Sequence, residues 1–70
     1  MNNGELRVAL VRNKVSNRDL AMMIGLSEQA LYNKINGTTE FKNSEIKRIA
    51  EVLNLSLQDV NAIFFDGIVN

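Results

Sequence analysis

The sequence predicts an all-α fold, a compact bundle of five short helices in one domain spanning residues 1–70. Three observations predict it. Apolar residues recur three and four apart in successive short segments, the spacing of one helix face. Those segments are punctuated by start and stop signals: Ser16 followed by Asp19, Ser56 followed by Asp59, Gly25 after Ile24, and Asn36-Gly37. No proline interrupts any of them. Seventy residues make one domain, near the lower limit for a core that folds without staples.

Met1–Gly4 are expected to fray. The first helix is expected over about 5–14, with Leu6, Ala9, Leu10 and Asn13 along one stripe and Val11 at its edge. Glu5 and Lys14 suit the two ends of its dipole. Arg7 and Arg12 fall off the stripe and read first as solvated, with phosphate contact as the alternative. Ser16 opens the second helix, 17–24, as a capping box with Asp19 in place of the usual Glu. Leu20, Ala21 and Ile24 share its buried face, and Met22 and Met23 read as flexible packing.

Gly25 stops that helix, because glycine takes positive φ without steric cost. Ser27 then caps the third helix, 28–36, by accepting from the backbone of Gln29 or Ala30. Ala30, Leu31 and Ile35 lie on one face, and Glu28, Gln29, Tyr32 and Asn33 on the other. Ala21 is small enough to let the two helices cross closely, so residues 17–37 read as a helix-turn-helix. Phe41 plugs the following loop. Asn43 or Ser44 caps a fourth helix, 43–54, with Ile46, Ile49, Ala50 and Leu53 inward and Lys47 and Arg48 solvated. Ser56 and Asp59 open a fifth, 57–64, carrying Leu57, Val60, Ile63 and Phe64. The expected core is Leu6 and Leu10 with Leu20, Ala21, Ile24, Leu31, Ile35, Ile46, Ile49, Ala50, Leu53 and Val60. Residues 65–70 form an apolar tail. With Phe64, its residues Phe65, Ile68 and Val69 exceed what one small core covers, so they read as a dimer or partner interface, the alternative being a fold back onto helix one.

Composition excludes several functions. Without Cys there is no disulfide or thiolate site, and without His a zinc site would need carboxylates alone, so no metal and no cofactor is expected. Neither a Gly-rich phosphate loop nor a nucleophile–base pair is present, so an enzyme is not expected. No apolar run nears the ~18–20 residues of a membrane span, and the N-terminus is polar, so a cytoplasmic protein without a membrane partner is expected. Net charge is zero. Residues 1–42 carry six cations against four anions, and residues 43–70 two against four, so the half holding 17–37 is mildly basic.

A helix fits the major groove, and the outward residues of 28–36 have base-reading chemistry. Gln29 can pair bidentately with adenine, and Asn33 can do the same or reach a phosphate. Glu28 can accept from cytosine N4, and Tyr32 offers its ring to a thymine methyl. Asn17, Arg18, Ser27, Lys34, Thr38 and Lys42 are the candidate phosphate contacts.

Asn17, Leu20, Ala21, Ile24, Gly25, Ser27, Leu31, Ile35 and Asn36-Gly37 resemble the Cro and C-type phage repressor family. The stretch 41–46 and Ile63-Phe64-Phe65 look like a small branch of it from phages and prophages of Gram-positive bacteria, so the resemblance covers nearly the whole chain. It implies a lambda-repressor-like bundle, base readout by Glu28, Gln29 and Asn33, and a regulator binding a double-stranded DNA operator in a lysis–lysogeny switch. Asn17 stands where the family often has Gln holding a phosphate, and Lys34 where an apolar residue is commoner. A second role stays open: a modulator or antirepressor that binds a co-encoded phage repressor. Net neutrality, Glu28 at the helix head and the apolar C-terminal end fit it.

Overall fold

Each helix of the protein is started and stopped by its own sequence. In a computed structural model, which describes residues 1–65, these are α1 (Asn3–Asn13), α2 (Asn17–Ile24), α3 (Glu28–Ile35), α4 (Asn43–Val52) and α5 (Leu57–Phe64), with no strand among the described residues. Ser16 and Asp19 form the expected capping box, each side chain accepting from the other's backbone N–H at 3.0 and 3.3 Å. Ser56 and Asp59 repeat it at the head of α5, both at 3.0 Å. The Ser56 backbone N–H and hydroxyl together hold the Asp59 carboxyl below its usual range.

The first four helices all stop the same way. A residue with positive φ follows each one, and the next N–H reaches back to a carbonyl five residues earlier. The pairs are Val15 to Leu10, Leu26 to Ala21, Thr38 to Asn33 and Leu55 to Ala50, each at 2.9 Å. The positive-φ residue is glycine at Gly25 and Gly37, but Lys14 and Asn54 in the other two places.

Some helix ends and caps differ from expectation, for local reasons. α1 starts two residues early, because the Asn2 side chain accepts from the Glu5 N–H at 3.1 Å and so caps it. The stretch expected to fray therefore holds the first turn, and the Asn2 N–H donates to the Ile63 carbonyl at 2.6 Å, tying α1 to the end of α5. α4 has Lys42, not Asn43 or Ser44, at its N-cap; the Glu45 carboxylate accepts from the Lys42 N–H at 2.8 Å instead. α4 also ends at Val52, before the Asn54 turn.

α2 lies on both α3 and α4, α5 on α4, and α1 on α5. The radius of gyration is 11.0 Å, matching the ~11 Å of a close-packed chain of this length. Leu6, Ala9, Leu10, Leu20, Ala21, Leu31, Ile49, Leu53 and Ile63 form the buried core. Ile24, Ile35, Ile46, Ala50 and Val60, expected inside it, are only half-buried, while Ile63 is fully buried. Met22 and Met23 are exposed and do not pack in the core. Phe41 fills its loop as expected, its ring edge-on to Phe64 with centroids 5.4 Å apart.

Candidate nucleic-acid interface

The outward side of α3 is set by what its inward side buries. Leu31 is 1% exposed and anchors α3 on α2, where Leu20 and Ala21 are also buried. The Ser27 hydroxyl accepts from the Ala30 N–H at 3.0 Å and fixes where the helix begins. Glu28, Gln29 and Tyr32 are thereby left exposed, Tyr32 by 60%, with Asn33 half-buried beside them. The Gln29 Nε2 donates to the Asn33 Oδ1 at 3.1 Å, an i,i+4 pair that orders both amides. Gln29 still keeps one N–H and its Oε1, the donor and acceptor that an adenine edge requires.

Around that strip the candidate phosphate residues divide. Asn17, the first residue of α2, lines a cleft of about 240 Å³ with Glu28, Gln29, Leu31 and Tyr32. Arg18 lies 3.7 Å from the Glu28 carboxylate, and both side chains are largely in solvent, 84% and 66% exposed. Such a pair is screened and holds neither residue firmly. Ser27 is exposed, with its hydroxyl committed to the cap. Thr38 and Lys42 are exposed on the loop beyond α3, Lys42 at the head of α4.

Lys34 does not join them. Its ammonium lies 3.1 Å from the Glu45 carboxylate, with side chains only 11% and 12% exposed, and donates to the Glu40 carbonyl at 3.0 Å. It also sits 6.0 Å from the centre of the Phe41 ring. Burial pushes the Glu45 carboxyl up, but the Lys42 backbone N–H and the Lys34 ammonium outweigh it and leave the net shift downward. The expectation of a phosphate-contacting Lys34 is therefore replaced by an internal tether from the end of α3 to the head of α4. Sequence reasoning missed it because the partner stands eleven residues downstream. It also missed Arg48, whose Nε donates to the Met23 carbonyl in the last turn of α2 at 3.3 Å, where a cation suits the helix dipole.

The residues expected to form a C-terminal interface also divide. Phe64 is half-buried against Phe41, whereas Phe65 is exposed. Ile68 and Val69 lie outside the described residues. Leu57, 86% exposed, was not among the expected interface residues, yet with Val60, Asn61 and Phe65 it lines an apolar cleft on α5. Among the described residues no group of three metal-ligating side chains converges, and no helix is long and apolar enough to cross a membrane.

The fold and this surface define a small all-α protein with an exposed polar strip along one face of a short helix. By sequence the chain belongs to the family described as protein of unknown function DUF739, which matches residues 6–67. No curated protein and no solved structure matches it.

Proposed function

We propose that this chain is a sequence-specific double-stranded DNA-binding regulator of the Cro/repressor type. In this reading α2, the turn 25–27 and α3 act as a helix-turn-helix within a lambda-repressor-like bundle, and α3 lies in the major groove. Gln29 and Asn33 read base edges, with Glu28 and Tyr32 beside them. Asn17, Arg18, Thr38 and Lys42 hold phosphates, and Ser27 contributes through the helix start that it caps. The observation that carries the reading is the division of α3: Leu31 buried on α2, and Glu28, Gln29 and Tyr32 exposed along one side with the two amides already paired. The Arg18–Glu28 pair fits it, because a loose surface ion pair frees its arginine for a phosphate at small cost. The resemblance of residues 17–37 to phage switch regulators supports a place in the choice between lysis and lysogeny, acting from the cytoplasm.

The apolar cleft along α5 favours a second reading as well. Leu57 and Phe65 leave an exposed apolar patch that a second copy or a co-encoded phage repressor would cover. One titration separates the two readings. Duplexes tiled across the locus that encodes the chain are mixed with it, with and without the neighbouring repressor. Direct regulation gives a duplex bound by the chain alone. Binding seen only through the repressor makes the chain a modulator and overturns the first reading.

A further inference from the structure

The strip of α3 that reads bases in this account has a second wall. Between α1 and α3 runs a groove of about 400 Å³, floored by Leu6, Leu10 and Ile35 and rimmed by Arg7, Asn17, Tyr32 and Asn36. Asn17 and Tyr32 also line the cleft beside Gln29, so the two depressions meet along one ridge of α3. Their electrostatics differ. The cleft beside Gln29 carries Glu28 and no cation, the one under Lys34 carries Glu40 as well as Lys34, and the one beside Arg48 carries Glu45. The α1–α3 groove carries a cation and no carboxylate. No hydrogen bond or ion pair among the described residues engages Arg7, unlike Arg18, Lys34 and Arg48.

We propose that this groove seats a phosphodiester of the bound duplex, with the Arg7 guanidinium on its phosphate. The inference rests on the DNA-binding reading and adds to it the cation on the α1 side, a place that Lys34 cannot fill. A helix in the major groove has a sugar-phosphate strand on each flank. Arg7 is the cation of the α1–α3 groove, and Asn17, beside Arg18 at the start of α2, lines the same groove, so one strand can pass all three. The groove's make-up matches the strand's. Leu6, Leu10 and Ile35 offer an apolar floor to a deoxyribose, while the guanidinium, the Tyr32 hydroxyl and the amides of Asn17 and Asn36 donate to phosphate oxygens. A nucleobase would need an in-plane acceptor and donor at the floor, where the residues are aliphatic.

The test is a salt series on a short mixed-sequence duplex, which reports phosphate contacts without base readout. Wild type, Arg7→Ala, Arg7→Lys and Lys34→Ala are titrated, each with a thermal melt to score folding. Arg7→Ala should bind more weakly and flatten the plot of log K against log salt by about one unit, with an unchanged melt. Arg7→Lys should keep the wild-type slope. Lys34→Ala should keep the slope too, while its melt falls. A wild-type slope in Arg7→Ala overturns the phosphate seat and leaves the DNA reading standing. Loss of binding to an acidic peptide in that variant, with DNA binding intact, gives the groove to a protein partner and also overturns the seat. If wild type binds no duplex, the DNA reading fails and the seat fails with it.

Discussion

Both ends of α3 carry an ion pair, and the two pairs are built for different ends. At its head, Arg18 and Glu28 meet at 3.7 Å in open solvent. Near its tail, Lys34 and Glu45 meet at 3.1 Å with little of either side chain exposed, and the Lys34 ammonium gains a carbonyl and an aromatic face besides. Coulomb attraction at the head is diluted by water and salt, and a competing anion can replace it. At the tail each charge has lost water and depends on its partner. The head pair is therefore available to the proposed binding surface, and the tail pair belongs to the architecture. Charge type alone says nothing about which is which, since both are a cation ten or eleven residues before a Glu on the same small domain.

The largest expected effect comes from the buried side of α3. Leu31→Ala empties a fully buried position and should cost roughly 2–5 kcal/mol in denaturant melts. A loss well under 1 kcal/mol would mean that α3 is not anchored by this face.

The tail pair comes next. Lys34→Ala should lower stability by roughly 1–2 kcal/mol, less than a fully buried pair loses because part of each group still meets water. The same pair should give the protein an acid-side dependence. The Glu45 carboxyl is held below its usual 4.5, so its contribution is full above that value and is lost as pH falls through the lower, folded one. Melts of wild type and Glu45→Gln should therefore converge on acidification, and parallel curves would remove Glu45 from the account.

The head pair should give the smallest change in stability. Arg18→Ala should shift it by no more than about 0.5 kcal/mol. Its effect should appear on DNA, as a salt slope about one unit flatter on all sequences alike. A stability loss equal to that of Lys34→Ala would erase the contrast between the two ends.

What the sequence made legible follows the range of the interaction that decides it. Caps and stops are local, so Ser16 with Asp19, Ser27, Gly25 and Ser56 with Asp59 all do what their spacing predicts. The Asn2 cap was equally local, an Asn with Glu three residues later, but it lay inside a stretch assigned to fraying. The outward strip of α3 was legible from helical periodicity, and Glu28, Gln29, Tyr32 and Asn33 do line up along it. Lys34 was not, because its place at the helix edge is compatible with two partners, and only the return of the chain through Phe41 to Glu45 chooses one. Burial was overread as well: Ile24 and Ile35 have the right period, but each is the last residue of a short helix, where the chain turns away and leaves it partly open.

The central claim is that the exposed side of α3 reads base pairs. Affinities of wild type and Gln29→Ala for the best-bound duplex from the parent locus, and for its scrambled counterpart, test it most directly. Gln29 is exposed and its side chain bonds only to Asn33 among the hydrogen bonds of the described residues, so the variant should fold like wild type. Base readout predicts a loss of about 1–3 kcal/mol on the preferred duplex, relaxed preference at one base pair, and almost no loss on the scrambled one. Equal losses on both duplexes, or none on either, would contradict it.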